Sequence, residues 1–172
     1  MGAIAVALTG GASEAMALKN ATADGLTMNQ AATIQKESKL PLKAIKQMYS
    51  MDEYEVYKDA GLAARMVNGK TALVKEIDLD FKVMLKDGTQ VTNRQLMANG
   101  YVPRYLDVAG NVKLYQLHHI ARKADATLAV LVEAEHQGNS AILNIAGKAS
   151  EINRAEFEFI RQAFWKDFVA NL

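Results

Sequence analysis

The sequence predicts an α+β fold, in which N-terminal helices precede a group of short strands and a long helix closes the chain. Three observations predict this class. Helix-capping residues and good helix formers dominate up to about residue 60, turn dipeptides recur beyond it, and the last stretch carries apolar residues at helical spacing. Half of the 172 residues are hydrophobic, which is enough for a real core. One domain of ordinary size with an appendage is therefore expected.

The N-terminal stretch, residues 2–24, is rich in alanine and is expected to form one helix that stops at Gly25. Its apolar part is shorter than the roughly 20 residues that a membrane span requires. No basic residues precede it, as they would in a signal peptide. We interpret residues 1–48 as a helical linker or delivery region and residues 49–172 as the main domain.

Capping residues predict where the next helices begin. Thr27 is placed to cap a helix that extends to about Ser38, and Pro41 suits the first turn of the helix after it. Ser50 and Glu53 have the spacing of a capping box, in which each side chain accepts a hydrogen bond from the other residue's backbone N–H. A third helix is therefore predicted to begin at this pair.

Turn dipeptides then replace the helical pattern. Asn68-Gly69 lies between two runs of strand-forming residues and is the strongest short signal for a hairpin. Asp87-Gly88 predicts a second turn, and Thr92 or Asn93 is placed to cap a short helix. This part of the chain is therefore expected to supply most of the strands.

The C-terminal stretch is predicted to be one long helix, from about Arg154 to Asn171. Asn153 and Glu156 have the spacing of an N-cap residue and its partner. Apolar side chains at spacings of three and four form a stripe that faces the core. They are Phe157, Ile160, Phe164 and Phe168, with Trp165 beside them.

Two of the three histidines are adjacent, in the stretch Leu117-His118-His119-Ile120 at the end of an apolar run. Adjacent residues on a strand point to opposite faces of the sheet. One ring of the pair can therefore face a metal ion while the other faces a substrate. A chance pair at a solvated sheet edge is the alternative that the pair alone leaves open. The third histidine is His136.

The amino-acid composition limits the kinds of metal-binding and catalytic site that the histidines could form. The chain has no cysteine, which excludes disulfides, thiolate metal sites and cysteine nucleophiles. Any metal ligands must then come from His, Asn, Asp or Glu. The formal net charge is +1, which argues weakly against a strongly basic nucleic-acid module but leaves room for a local phosphate site.

A strand pair followed by a short helix is a compact frame for one metal ion. His118 on a strand and Asn144 on the helix offer an imidazole nitrogen and an amide oxygen, and a shell otherwise made of oxygen and water suits Mg²⁺ or Mn²⁺. His119 faces away from such an ion and can take a proton from water, because imidazole titrates near neutral pH. Phosphodiester hydrolysis requires both tasks.

Seven short pieces of sequence occur in a specific order and spacing, at residues 54–62, 67–74, 77–80, 117–120, 135–136, 150–152 and 164–166. Together they resemble the LHH family of HNH/endonuclease VII-type nucleases, which are toxin domains at the ends of polymorphic bacterial toxins. The resemblance extends from about residue 50 to the C-terminus. It implies a ββα-metal (HNH-type, His-Me finger) nuclease domain with a long C-terminal helix.

The resemblance also implies roles for individual residues. It implies His118 as a metal ligand, His119 as the general base and His136 as the residue that orients the base or the substrate. Asn144 stands at the last ligand position, where the family usually has histidine. Because an amide binds Zn²⁺ less well than imidazole does, we expect Mg²⁺ or Mn²⁺ as the cofactor. A second departure is Ala121-Arg122, where the family tends to have Gly-Gln.

Three cations are candidates for contacts with substrate phosphates, with a solvated surface position as the alternative for each. They are Arg104, Arg122 and Lys123. Asp78 and Asp80 are interpreted as capping or ion-pairing residues, with metal binding as the alternative. Glu135 either orients a site histidine or is a surface carboxylate.

The function that the resemblance implies is metal-dependent endonucleolytic cleavage of DNA by an antibacterial toxin domain. Such a domain is delivered into the cytoplasm of a target bacterium and is neutralised by a cognate immunity protein, so we expect a monomer or a heterodimer with that protein. One alternative is an RNase of the same fold. Another is a catalytically inactive binding module in which Asn144 marks a lost ligand. A delivery or scaffold role centred on residues 1–48 is the third.

Overall fold

The computed structural model describes residues 25–120, 126–144 and 153–172. The helix expected in residues 2–24, and the connection that carries Arg122 and Lys123, lie outside this part of the chain. The described helices are α1 (Met28–Ser38), α2 (Leu42–Gln47), α3 (Met51–Asp59), α4 (Asn93–Ala98), α5 (Glu133–Gln137), α6 (Ser140–Leu143) and α7 (Arg154–Ala170). The described strands are β1 (Ala63–Val67), β2 (Lys70–Val74), β3 (Lys82–Met84), β4 (Gln90–Thr92), β5 (Arg104–Leu106), β6 (Val112–Leu114), β7 (Gln116–His119) and β8 (Leu128–Leu131).

The main sheet has four strands in the order β1-β2-β8-β7. β1 and β2 form an antiparallel hairpin, β2 and β8 run parallel, and β8 and β7 are antiparallel, with His118 opposite Ala129 and His119 opposite Leu128. β7 is therefore an edge strand of this sheet. Two separate hairpins, β3-β4 and β5-β6, complete the strands of the described residues. The predicted α+β class is confirmed.

Capping side chains begin the helices as the sequence predicts, with one correction. The hydroxyl of Thr27 accepts from the backbone N–H of Gln30 at 3.1 Å, and Asn153 caps α7. Ser50 caps α3, but the prediction of a reciprocal bond from Glu53 to Ser50 is wrong. The Glu53 carboxylate instead accepts from the backbone N–H of Tyr49 at 2.7 Å.

Asn93 has a structural role that differs from the capping role considered for it. Thr92 is the N-cap residue of α4, and Asn93 is fully buried. Its amide donates to the carbonyl oxygens of Asp78 and Arg104, each at 2.8 Å, and its side-chain oxygen accepts from the Arg104 N–H at 2.7 Å. These bonds fix the start of β5 against α4 and the loop before β3.

Two hydrophobic clusters cover the two faces of the sheet. Alternate residues of β8 enter different clusters, since Ala129 and Leu131 face one and Leu128 and Val130 face the other. The first cluster, here called the α1–α3 core, also contains buried residues of α1, α2 and α3. The second, here called the α7 core, contains buried residues of α7. Each face of the sheet is thus packed against helices, as an α+β domain requires.

The closing helix buries part of its predicted stripe. Phe164, Trp165 and Phe168 are buried in the α7 core, as the spacing predicts. Phe157 is half-buried, and Ile160 is exposed. The stripe therefore loosens toward the start of α7, where the helix lies beside the end of β7. Among the described residues, no helix combines the length and hydrophobicity that a membrane span would need.

Candidate active site at the histidine pair

His118 and His119 are the last two residues of β7, and both side chains are buried. Their rings contact different neighbours. The His118 ring lies 5.1 Å from that of His136 and 6.4 Å from that of Tyr57, whereas the His119 ring lies 4.5 Å from that of Phe157, in an edge-to-face arrangement. The two imidazoles therefore lie on opposite faces of the sheet, as the alternation of a strand predicts.

His136 lies on the same side of the strand as His118. It is carried by α5, which packs against β7. Its Nδ1 forms a hydrogen bond with the side-chain oxygen of Gln116. With that oxygen as the acceptor, Nδ1 carries the hydrogen and Nε2 keeps a lone pair. Gln116 is two residues before His118, so strand alternation could have indicated that it shares a face with His118, but the sequence analysis did not single it out.

An ion pair fixes α5 to the sheet. Lys75, which follows β2, lies 2.5 Å from the carboxylate of Glu135, and both side chains are largely buried. The same carboxylate accepts from the backbone N–H of Val132 at 2.8 Å, which caps the start of α5. Neither role considered for Glu135 matches this arrangement, because its carboxylate caps a helix and pairs with a lysine. It thereby holds the helix that carries His136.

Asn144 is the C-cap residue of α6, and its side chain is half-buried. Its backbone N–H donates to the carbonyl oxygen of Ser140 at 2.9 Å. α6 packs against α3, the helix that also carries Tyr57. Within the described residues, no group of three or more His, Asp or Glu side chains is arranged to hold a metal ion.

On the other face, His119 lines a cavity of about 70 Å³. The polar part of the lining comes from the β1–β2 hairpin, through Asn68, Lys70 and Thr71. The apolar part includes Ile160 and Phe164 of α7. A water molecule needs only about 10–15 Å³ of such volume, so the cavity is large enough for several waters or for a small anion with a water beside it.

Burial determines the charge state of the site. It lowers the pKa of both His119 and His136 below the ordinary imidazole value, because removal from water disfavours the charged ring. Both rings are therefore neutral at neutral pH. Burial raises the pKa of Tyr57 well above its ordinary value, and the neighbouring carboxylate of Glu53 adds to this. The phenol beside His118 therefore stays protonated.

Of the three cations predicted to contact substrate phosphates, Arg104 lies in the described part of the chain. The Arg104 guanidinium is half-buried, donates to the carbonyl oxygen of Val102, and has a pKa lowered by burial. Its phosphate role stays a prediction, as do those of Arg122 and Lys123.

Asp78 accepts from the backbone N–H of Asp80 at 3.0 Å. This is a local turn, so the capping interpretation of that pair is the one the geometry favours.

The fold and site together define a class of protein. A hairpin of β7 and β8 leads into two short helices, with one imidazole on the strand and another on the first helix facing each other. This ββα order is the one that the resemblance to HNH-type nucleases predicts. The tripeptide Leu117-His118-His119 lies at the centre of it.

Comparison with protein families identifies the class more closely. Residues 92–171 match the model of the LHH family, described as a nuclease of the HNH/ENDO VII superfamily with conserved LHH. The predicted resemblance is thereby confirmed for this segment, which is similar to the LHH nucleases. The match begins at Thr92, the cap of α4, and the resemblance expected for residues 50–91 stays a prediction. No curated protein and no solved structure matches the chain.

Proposed function

We propose that the protein is a metal-dependent endonuclease that hydrolyses phosphodiester bonds of DNA. The observation that supports this most strongly is the division of the histidine pair inside the LHH segment. His118 meets His136 on one face of the sheet, and His119 lines a cavity on the other. Because β7 is an edge strand, a phosphate lying along that edge is within reach of groups from both faces.

The chemistry of the proposed ligands fits a divalent cation. Neutral imidazole nitrogen and amide oxygen are both acceptable donors, and His118 and Asn144 are the proposed ligands. With so few protein donors, water and phosphate oxygens would complete the shell, which suits Mg²⁺ or Mn²⁺ better than Zn²⁺. When bound, such an ion polarises the phosphate and stabilises the charge of the departing oxygen.

His119 is the proposed general base. Its ring is neutral because burial lowers its pKa, so its free nitrogen can accept a proton from water in the adjoining cavity. His136 is the proposed orienting residue. Its position beside His118, and its bond to Gln116, favour contact with the substrate phosphate over contact with the base.

The proposed biological role follows from the resemblance to toxin nucleases. The domain would be delivered into the cytoplasm of a target bacterium and act there as an antibacterial toxin. The producing cell would then require a cognate immunity protein, with the nuclease present as a monomer or in a heterodimer with it. Co-expression with its immunity protein should restore growth to cells that otherwise stop growing when the domain is produced.

A cleavage assay tests the catalytic proposal. Purified protein is incubated with plasmid DNA and with total RNA, in Mg²⁺, Mn²⁺, Zn²⁺ or EDTA. We expect DNA cleavage in Mg²⁺ or Mn²⁺, none in EDTA, and a loss of at least about 100-fold for His119→Ala, as for removal of a general base. Thermal unfolding of the variant serves as the folding control.

Each other outcome of the assay assigns a different function. Degraded RNA with intact plasmid would make the protein an RNase of the same fold. Absence of cleavage in every metal, from folded wild-type protein, would favour the inactive binding module. Full activity of His119→Ala would show that another group serves as the base.

A further inference from the structure

We propose that Lys70 binds a substrate phosphate in the cavity that holds His119. This inference rests on the proposed nuclease function and adds a substrate-binding residue to it. Lys70 precedes the segment that matches the LHH model, and no role is predicted for it from the sequence.

Strand directions bring Lys70 and His119 to one end of the sheet. β2 and β8 are parallel, so both begin at the same end, and β7 is antiparallel to β8, so it ends there. Lys70 is the first residue of β2, and His119 is the last residue of β7. Both line the same cavity, together with the start of β8 at Leu128.

The hairpin that carries Lys70 is held in place. Asn68 and Gly69 both have positive φ, 52° and 75°, which is the geometry of a tight hairpin turn. The backbone N–H of Asn68 donates to one carboxylate oxygen of Asp167 on α7 at 2.7 Å. The other oxygen of Asp167 accepts from the side chain of Asn171 at 2.9 Å. Both carboxylate oxygens of Asp167 are thus engaged with N–H donors.

The charge of the residues that line the cavity favours binding of an anion. Lys70 is exposed and takes part in none of the ion pairs seen among the described residues. No residue that lines the cavity in this part of the chain carries a carboxylate. A lysine ammonium is a compact charge that binds phosphate oxygens. A phosphate beside Lys70 would lie next to the water that His119 is proposed to activate.

Binding of a short DNA duplex in EDTA tests this without any contribution from metal or cleavage. The variant Lys70→Met removes the charge and keeps most of the stem, and Lys70→Arg keeps the charge. The matched control is Lys43→Met, at an exposed lysine of α2, which packs in the core on the opposite face of the sheet. Thermal unfolding confirms that each variant folds.

We expect Lys70→Met to weaken duplex binding about fivefold at moderate salt, the equivalent of one exposed charge contact. The slope of log affinity against log salt should fall by about 0.9, because one fewer phosphate is neutralised. Lys70→Arg and Lys43→Met should bind as the wild type does. In Mg²⁺, the loss should fall mainly on KM, since the ammonium is proposed to hold the substrate.

Three results would overturn the inference. The first is that Lys70→Met equals Lys43→Met in affinity and salt slope, and the second is that Lys70→Arg fails to preserve binding. In either case, cleavage by the wild type would leave the proposed function standing. If the folded wild type neither binds nor cleaves nucleic acid, the proposed function fails and this inference fails with it.

Discussion

At the scale of single residues, the geometry of the candidate site depends on hydrogen bonds and ion pairs between polar side chains. Gln116 bonds to Nδ1 of His136, and Glu135 holds the helix that carries this histidine through its bond to Lys75. Buried polar groups require such partners, because an unsatisfied donor or acceptor costs about 1–3 kcal/mol. Away from the site, the buried Asn93 also has hydrogen-bond partners, because its side-chain amide donates to the carbonyl oxygens of Asp78 and Arg104.

Gln116 makes a residue-scale prediction possible. Replacing it with leucine removes the acceptor that orients His136, so the ring can turn and change its tautomer. Loss of a partner that orients a site histidine typically costs about 10-fold or more in activity. We expect Gln116→Leu to lower the rate of DNA cleavage in Mg²⁺ by about 10-fold.

The matched control is Gln90→Leu, the same substitution at an exposed residue of β4. It should leave the cleavage rate unchanged. Equal rates for Gln116→Leu and Gln90→Leu, with both variants folded, would show that His136 needs no fixed tautomer.

At the scale of elements, the sequence predicts local structure well and long-range pairing poorly. Caps and turns depend on neighbours in the chain, so Thr27, Asn153 and the turn at Asn68-Gly69 are found where they are predicted. The parallel pairing of β2 with β8 joins residues far apart in sequence, and no local pattern specifies it. That pairing is what brings Lys70 to the cavity of His119.

In the candidate site, too, the sequence predicts local geometry well and long-range contacts poorly. Adjacency and strand alternation predict that His118 and His119 face opposite ways, because that requires only the local period of a strand. The partners of Glu53 and Glu135 depend on which groups the fold brings close. The spacing of Glu53 and Ser50 predicts a bond between them, but the Glu53 carboxylate accepts from Tyr49 and Tyr57 instead.

The β1–β2 turn gives the prediction at this scale. Gly69 has φ of 75°, and a Cβ added there would contact nothing within 4 Å, so the cost of a side chain is conformational and not steric. A non-glycine residue in the left-handed region costs about 1–2 kcal/mol. We expect Gly69→Ala to lower the free energy of unfolding by about 1 kcal/mol, measured by urea denaturation.

Asn68→Gly is the comparison for this variant, because glycine also adopts the positive φ found at that position. It should change the free energy of unfolding by less than Gly69→Ala does. A larger loss for Asn68→Gly would show that the asparagine side chain, and not the turn conformation, stabilises the hairpin.

At the scale of the whole molecule, one sheet lies between two cores, and the site uses both of its faces. The α1–α3 core includes Ile34 and Ile45, which belong to the segment 1–48 that the sequence analysis assigned to a linker or delivery region. These side chains pack in one cluster with Leu73, Ala129 and Leu131 of the sheet. The helices of that segment within the described residues therefore support the face of the sheet that carries His118.

This packing predicts that α2 and the distant α7 core unfold together. Ile45 of α2 is fully buried, and replacing such a side chain with alanine typically costs about 2–5 kcal/mol. Trp165, the single tryptophan of the chain, is buried in the core on the opposite face, so its fluorescence reports on that face. We expect Ile45→Ala to lower the urea midpoint seen by Trp165 and by far-UV circular dichroism equally, while Lys43→Ala on the exposed side of α2 changes neither. An early circular dichroism transition with an unchanged Trp165 midpoint would instead show that α2 unfolds separately, as a linker or delivery segment would.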